Sequence, residues 1–538
     1  MLYLIDLLLD FNLTFRDDFV NIKAILELLF TRISLLYLCM KHYLMKYLFS
    51  ILSVLLLFSC SRNEDPIPTN VNVTAQVSPQ SAGAVLFSDA PPYIEGQSIT
   101  ITAVAAPNFK FSHWLGDISG EEPSKLLALD SNISATAVFL PLESFAGENV
   151  VVYNEQGIDQ SGYIFMMENG QKNAYLVNHE GEKLKEWAFE ERFGNDIEIT
   201  PSGDLLACFK SSDPIITFGG YGGVVSLMDY TGKELWRYEV NTENEIAHHD
   251  ATQLPNGHVM IMVWERITEL QLEAAGQFPG HDIFLEKLIE VNPQTNEIVW
   301  QWRSWDHMIQ NTAADNDLYG QLSEFPNKID LNHSDLENGD WMHANGIFYD
   351  PVTDLIYMSV NFYSEVWVID HSTSTVEAAS NQGGQFNRGG DLVYRFGNPT
   401  VFENTNAEQF LFNNHHPSLV PVNYPGNGNF LIYNNGSNLE QSIAYELLLP
   451  TFSMNSMQNY IAPEIKWSFT NSDMYFDKIS GLQRLPNGNT LICEGDYGYW
   501  EVSAQGEVVW KYDGLGKSFW RPYYYMKNDP RLFRLNLQ

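Results

Sequence analysis

A chain of 538 residues with 45% hydrophobic and 13% aromatic content can bury a large core, and its length suggests about two to four domains, which excludes a disordered protein. Acidic residues outnumber basic ones 67 to 30, and a net charge of −37 offers phosphate backbones nothing to hold, so nucleic acid is not an expected partner. Four cysteines are too few for a disulfide scaffold, and two of them, Cys39 and Cys60, fall in the N-terminal apolar region.

Met45-Lys46 precedes the apolar run Tyr47 to Phe58, which closes on Leu57-Phe58-Ser59-Cys60. A basic residue, a short apolar run and a small residue in that order mark a secretory signal, and the run is short for a transmembrane span. The Leu-Phe-Ser-Cys ending resembles a bacterial lipobox, which implies that Cys60 is acylated and becomes the first mature residue; a plain signal peptide or an anchor helix is the bland alternative. Residues 1–44 do not suit the front of a signal peptide, and Met40 and Met45 are both plausible starts. The expected organisation is therefore a misassigned extension at 1–44, a signal peptide at 45–59, and a tether at 60–70 that is polar and carries Pro66 and Pro68. The body would then sit in a bacterial cell envelope, periplasmic or cell-surface, meeting the membrane only through its lipid.

From Val71 the pattern becomes short alternating strands, at Val71–Ala75, Ser98–Ala103 and Ala135–Phe139, whose period of two means half-buried β structure. Residues 71–141 resemble the small β-grasp-like repeat modules of bacterial surface proteins, in the turn before Gln97, the Phe111-Ser112-His113-Trp114 core and the closing Ala137-Val138-Phe139 strand. Such modules are spacers or adhesive accessories, and His113 is expected in the core and not as a ligand.

From residue 146 to 538 the chain repeats itself. Strand endings of one type recur at Gly181–Trp187, Gly232–Trp236, Asn296–Trp300, Gly390–Tyr394, Glu464–Trp467 and Gly506–Trp510, separated by turns such as Pro201-Ser202-Gly203, Pro255-Asn256-Gly257 and Pro486-Asn487-Gly488. Short strands with aromatic endings at such intervals are what β-propeller blades need, because one four-stranded blade cannot bury both faces alone. Six endings predict an all-β, six-bladed propeller. The unit between Asn296 and Gly390 is the longest, so polar Asn311 to Asp340 is expected to cover one face, on the binding side. Cys208 and Cys493 each lie seven residues after a turn proline, hence at equivalent positions in two blades expected to meet at ring closure, and are read as buried free thiols in preference to a disulfide.

Six positions before the turn prolines stand Asn195, His249, Asn345, His415 and Ser480, with His343 two residues before Asn345. In a propeller the innermost strand begins at the rim of the channel, so these residues are expected to converge. Three imidazoles from three blades could bind zinc or copper. They could equally perform nucleophilic catalysis, one attacking an electrophile while another moves a proton, which suits sulfuryl transfer because its charged oxygens need several donors.

Several motifs then converge on one resemblance. His248-His249-Asp250-Ala251 to Gly257, Trp341-Met342-His343-Ala344-Asn345, Gly389 to Pro399, Asn414-His415-His416 to Tyr433-Asn434-Asn435-Gly436, and the tail Phe519-Trp520-Arg521-Pro522-Tyr523 look like those of the arylsulfate sulfotransferase family, over residues 146 to 525. The resemblance implies a secreted six-bladed propeller that moves sulfate from a phenolic sulfate ester to a phenol acceptor without a nucleotide donor, a cofactor or a metal. It puts the transiently sulfated nucleophile on His415, with His416 as the rival, and the partner histidines on His249 and His343, with His248, Asn345 and Asn361 beside the substrate. Asn361 stands where the better-known members carry arginine, and Arg266, Arg388 or Arg395 would have to compensate, although Arg395 reads as a solvated strand end. His371 reads as a turn residue. A non-catalytic surface propeller that binds a glycan, peptide or aromatic ligand is the main alternative, and a metal-dependent hydrolase or lyase a weaker one.

Overall fold

Alternating apolar side chains build an almost entirely β structure in the computed structural model, which describes residues 69–106, 109–141, 149–334, 336–404 and 406–537. The expected signal peptide and the Cys60 anchor lie outside the described residues. Among the described residues no helix is long and apolar enough to cross a membrane.

The N-terminal module pairs Val73–Ser78 in parallel with Ile133–Pro141, which pairs antiparallel with Phe109–Gly116. Gly83–Phe87, Ser98–Ala105 and Ser124–Ala128 form a second antiparallel sheet. Ile99, Ile101, Trp114, Ala137 and Phe139 make the core between them. His113 is a half-buried neighbour of Ser112 and not a core residue, because alternation turns Trp114 inward in its place.

Beyond residue 149 the chain forms successive four-stranded sheets, here A to F. Sheet A contains Gly162–Met167, Asn173–Val177 and Lys183–Ala188. Sheet B runs from Phe193–Ile199 to Glu234–Glu239, sheet C from Glu245–Gln253 to Glu297–Arg303, and sheet D from Ala344–Asp350 to Tyr394–Phe396. Sheet E runs from His415–Leu419 to Glu464–Phe469 and sheet F from Gly481–Arg484 to Val508–Asp513. The aromatic endings read from the sequence fall in the last strand of each sheet. The turn glycines Gly203, Gly257 and Gly488 take positive φ and donate back to Thr200, Leu254 and Leu485, which is why glycine follows the turn proline by two.

The middle strands are buried throughout, as in Leu355–Val360 and Glu365–Asp370, because each sheet is covered on both faces. Each core is shared by consecutive sheets: Phe165 and Trp187 of A with Phe193 and Phe209 of B, Cys208 and Val225 of B with Val259 and Ile289 of C, and Met260 and Trp300 of C with Met358 and Trp367 of D. Tyr357 and Val368 of D meet Phe430 and Ile432 of E, and Leu431 and Tyr433 of E meet Leu482 and Trp500 of F. Leu491 and Trp510 of F then pack on Ile164 and Tyr175 of A, so the series returns to its start.

Both ends of this region take part in the closure. Val150–Tyr153 extends the outer edge of sheet F, and Tyr523–Met526 pairs with Gly162–Met167 as the remaining strand of sheet A. Cys208 and Cys493 are buried free thiols, but they do not meet at a seam: Cys208 packs between sheets B and C and Cys493 between F and A, with sheet A intervening.

Candidate active site

The first strands of the sheets are irregular where the sequence singled out its polar residues. The Asn195 backbone bridges in parallel to His249, joining sheets B and C. Registers slip between Ala247 and Ala251, between Ala344 and Gly346, and between His415 and Ser418. His249 (φ 52), His343 (φ 52) and His416 (φ 56) occupy the left-handed region, and Ser480 (φ 85) also has positive φ. A bulge re-aims the side chain it carries, and left-handed backbone at non-glycine residues costs about 1–2 kcal/mol each, so the surrounding packing must hold it. His249 therefore sits within its strand and not at its beginning.

The bulges bring His249, His343 and His415 into one cluster. The His249 and His343 rings lie 4.9 Å apart, and Trp520 stands 5.8 Å from His249 and 6.3 Å from His415. His343 also stacks on Phe362, 4.8 Å away. Gly220 lies against His249 so closely that a Cβ there would sit 2.0 Å from Cε1 and Nε2, hence glycine at this step of the 218–223 loop. Ser480 is not in the cluster: its hydroxyl serves the turns at Lys478 and Gly495.

Each imidazole is held differently from behind. His343 Nδ1 lies 2.5 Å from Asp340 Oδ2. Burial alone would lower its pKa, but the Asp340 carboxylate outweighs burial and holds it above the ordinary histidine value. His415 Nδ1 is 2.7 Å from Asn435 Oδ1, whose Nδ2 is already committed to the carbonyls of Phe476 and Ile479. That amide presents only an acceptor, so His415 donates from Nδ1 and keeps a lone pair on Nε2. Burial, partly offset by the Asn435 bond, lowers His415 to about 3.

His249 Nδ1 meets His248 Nδ1 at 2.9 Å, and His248 Nε2 is 2.9 Å from Glu286 Oε2. His248 stacks on Trp264 at 4.0 Å and lies behind His249, out of the cluster. The His248–Glu286 contact lacks hydrogen-bond geometry, so the two rings are tied through their Nδ1 atoms, one donating and the other accepting. Burial, and after it the neighbouring His343, keep His249 well below its ordinary pKa.

His416 faces elsewhere. Its Nδ1 accepts the Leu482 amide at 3.1 Å, and its ring lines a cavity of about 230 Å³ with Asp196, Glu198, Asp250, Arg521 and Tyr523. Burial, with Arg521 adding to it, keeps its pKa well below the ordinary value. Asn345 donates to the Asn414 carbonyl at 2.8 Å, tying sheet D to the strand of His415. Asn361 accepts from Asn413 at 2.9 Å through Oδ1, so its amide hydrogens are what it can offer a ligand.

None of the three arginines expected to compensate at Asn361 contacts the cluster. Arg266 pairs with Asp282, and Arg388 binds the Met454 carbonyl on the surface. Arg395 is not a solvated strand end: it is fully buried and its Nε donates to Glu365 at 2.9 Å, because a guanidinium between two packed sheets must carry its counterion with it. The arginine beside the histidines is Arg521, buried, with Nη1 2.9 Å from Asp250 Oδ2. The sequence places it in the aromatic tail with no sign of a role. Nor does the sequence mark Asp340, Asn435 or Glu286, of which only Asn435 falls within one of the motifs above. His371 bridges Asp354 and Glu290, away from the cluster. Among the described residues no group of three or more His, Cys, Asp or Glu side chains has the arrangement of a metal site.

Comparison with known proteins completes the description. A profile of the arylsulfotransferase (ASST) family matches residues 148–460, and one of the divergent InlB B-repeat domain matches residues 73–142. No curated protein matches the chain. Among solved structures, a protein of unknown function from Bacteroides caccae is similar at 12% identity and TM-score 0.40, covering 68% of this chain and 100% of its own. A protein from Lactobacillus plantarum is similar at 9% identity and TM-score 0.35, covering 65% of this chain and 82% of its own.

Proposed function

The chain belongs to the arylsulfotransferase family, whose profile spans more than half of its 538 residues, and from that premise we propose that it transfers a sulfuryl group from a phenolic sulfate ester to a phenol through a sulfohistidine. The observation that carries this reading is that Asn435 accepts from His415 Nδ1, leaving a lone pair on Nε2, while the Asp340 carboxylate at His343 Nδ1 favours the protonated form of that ring. His415 Nε2 attacks sulfur, the sulfur–oxygen bond to the aryl group breaks, and His343 gives its proton to the departing phenolate. In the second half His343, now neutral, takes the proton of the acceptor phenol, whose oxygen attacks sulfur as the nitrogen–sulfur bond breaks. No nucleotide, cofactor or metal enters. The amide hydrogens of Asn361 donate to the sulfuryl oxygens, His248 orients His249 through the contact between their Nδ1 atoms, and Asn345 holds the strand of His415. His416, spent on Leu482, is a poor rival as nucleophile.

Six sheets whose cores run in series and return to the first support a six-bladed propeller over residues 146–538. The divergent InlB B-repeat domain supports an extracytoplasmic location in a bacterium, with residues 71–141 as a spacer, 60–70 as a tether, 45–59 as a signal and Cys60 as the lipid anchor.

Incubation with a chromogenic aryl sulfate and no acceptor should leave a sulfate-bearing peptide containing His415. The variant His415→Ala should lose that label and at least about 10⁴-fold in turnover, as nucleophile removal generally does. A variant that transferred at the parent rate would sink the assignment. The second reading, a propeller that binds an aromatic or glycan ligand without turnover, draws on the commitment of Arg521 to Asp250, which leaves the cluster no free guanidinium. It predicts binding in the triple histidine variant and no label in the parent.

A further inference from the structure

Buried tryptophans in this protein show one exception. Among the described residues eleven are buried, and ten of them give their indole N–H to a protein acceptor, from Trp114 to the Glu122 carbonyl through Trp510 to the His179 carbonyl. Trp520 does not: its Nε1 is buried and has no partner. An indole nitrogen donates and cannot accept, so a buried one without an acceptor is an unmet demand for an oxygen.

The position of Trp520 says which oxygen would meet it. The ring lies beside His249, tilted 35° to it, and edge-on to His415 at 87°. Its carbonyl is pinned by the Ser480 amide at 3.1 Å, and the Arg521 guanidinium lies 5.0 Å over the ring. Topology gives it a place like that of His343. Sheet A takes its first strand from Tyr523–Met526, so Trp520 leads into that strand as His343 leads into that of sheet D.

We propose that Trp520 is a further catalytic residue, whose Nε1–H donates to an oxygen of the sulfuryl group lying between His249 and His415. The assignment rests on the sulfuryl-transfer reading. It supplies, with a neutral donor, part of the anion stabilisation that a guanidinium at position 361 would give. A donor without acceptor capacity also favours a charged sulfuryl oxygen over a phenol hydroxyl, which needs an acceptor for its own proton.

Two measurements on the full chain decide it. Trp520→Phe keeps a ring and removes the N–H, and should lower kcat and kcat/KM for an aryl sulfate by a similar factor, about 100-fold, as expected for one lost transition-state donor. A variant within twofold of the parent would overturn the proposal. Independently, the indole ¹H–¹⁵N signal of Trp520, assigned by its absence in Trp520→Phe, should move downfield on titration of the parent with inorganic sulfate, and also in His415→Ala. A signal that stays in place while sulfate occupies the cluster, seen through shifts of the histidine nitrogens, overturns it whatever the activity of the phenylalanine variant. If the parent turns over no aryl sulfate, the transfer reading fails, while the titration still reports whether this N–H holds an oxyanion.

Discussion

His343 and His415 are the same side chain in the same cluster, the first half-buried and the second buried, and they differ in the group behind them. Asp340 stands behind His343 at 2.5 Å and Asn435 behind His415 at 2.7 Å. Both partners fix a ring by accepting from Nδ1, but only the carboxylate brings charge, so His343 is driven above the ordinary histidine pKa and His415 far below it. One exchange of an oxygen for an amide nitrogen, placed 95 positions apart in the chain, separates a group able to give a proton from one able to attack.

The largest way to break this contrast is Asp340→Asn. His343 then loses the interaction that raises its pKa, and the rate at neutral pH should fall by about 100-fold, the scale of one general acid. Sign matters here: the parent should lose activity as pH rises through the raised pKa of His343, and in the variant that fall should begin at lower pH, which a kcat profile across pH 5 to 9 would reveal. Asn435→Asp should act oppositely, raising the pKa of His415 so that the nucleophile becomes protonated. From about 3, a shift of three units brings His415 to about 6, so the expected loss is about 10-fold at pH 5 with recovery by pH 8. A variant equally active at both pH values would show that the amide does not set the tautomer.

The smallest expected effect concerns stability. His249, His415 and His416 are all depressed below the unfolded value, so their contribution is complete above about pH 6.5 and is lost as pH falls through their folded values. His343 has the opposite sign: its contribution is complete below that point and is lost as pH rises through its folded pKa. Three groups against one predict a melting midpoint that drops in acid. His416→Asn, which can still accept from Leu482, should reduce the slope of stability against pH by about one proton.

The sheets were legible because their endings and turns obey local rules: an aromatic at the close of each last strand, and proline and glycine at fixed offsets in the turns. Six endings stand against five turn prolines, and the sixth first strand comes from elsewhere in the chain. Tyr523–Met526 supplies it, and nothing local distinguishes that aromatic tail from an appendage. The convergence of three histidines was legible for the same reason as the turns, from equivalent offsets. Their partners were not. Asp340 lies in the long polar insertion, Glu286 in the third strand of sheet C and Arg521 in the tail, and each reaches the cluster through tertiary packing with no periodic signal. Arg395 was misread for a related reason: its buried partner Glu365 is 30 residues away, and a charge at a strand end looks solvated until the insertion, through the Lys328 carbonyl, and Phe402 close over it.

The strand formed by Tyr523–Met526 ties the timing of function to the making of the chain. Trp520 and Arg521 reach the histidines only when that strand docks beside Gly162–Met167, some 360 residues upstream. A nascent polypeptide halted before residue 519 has every imidazole of the cluster and none of its lining from sheet A, so competence should switch on in a single late event, once the last strand has been made and has docked.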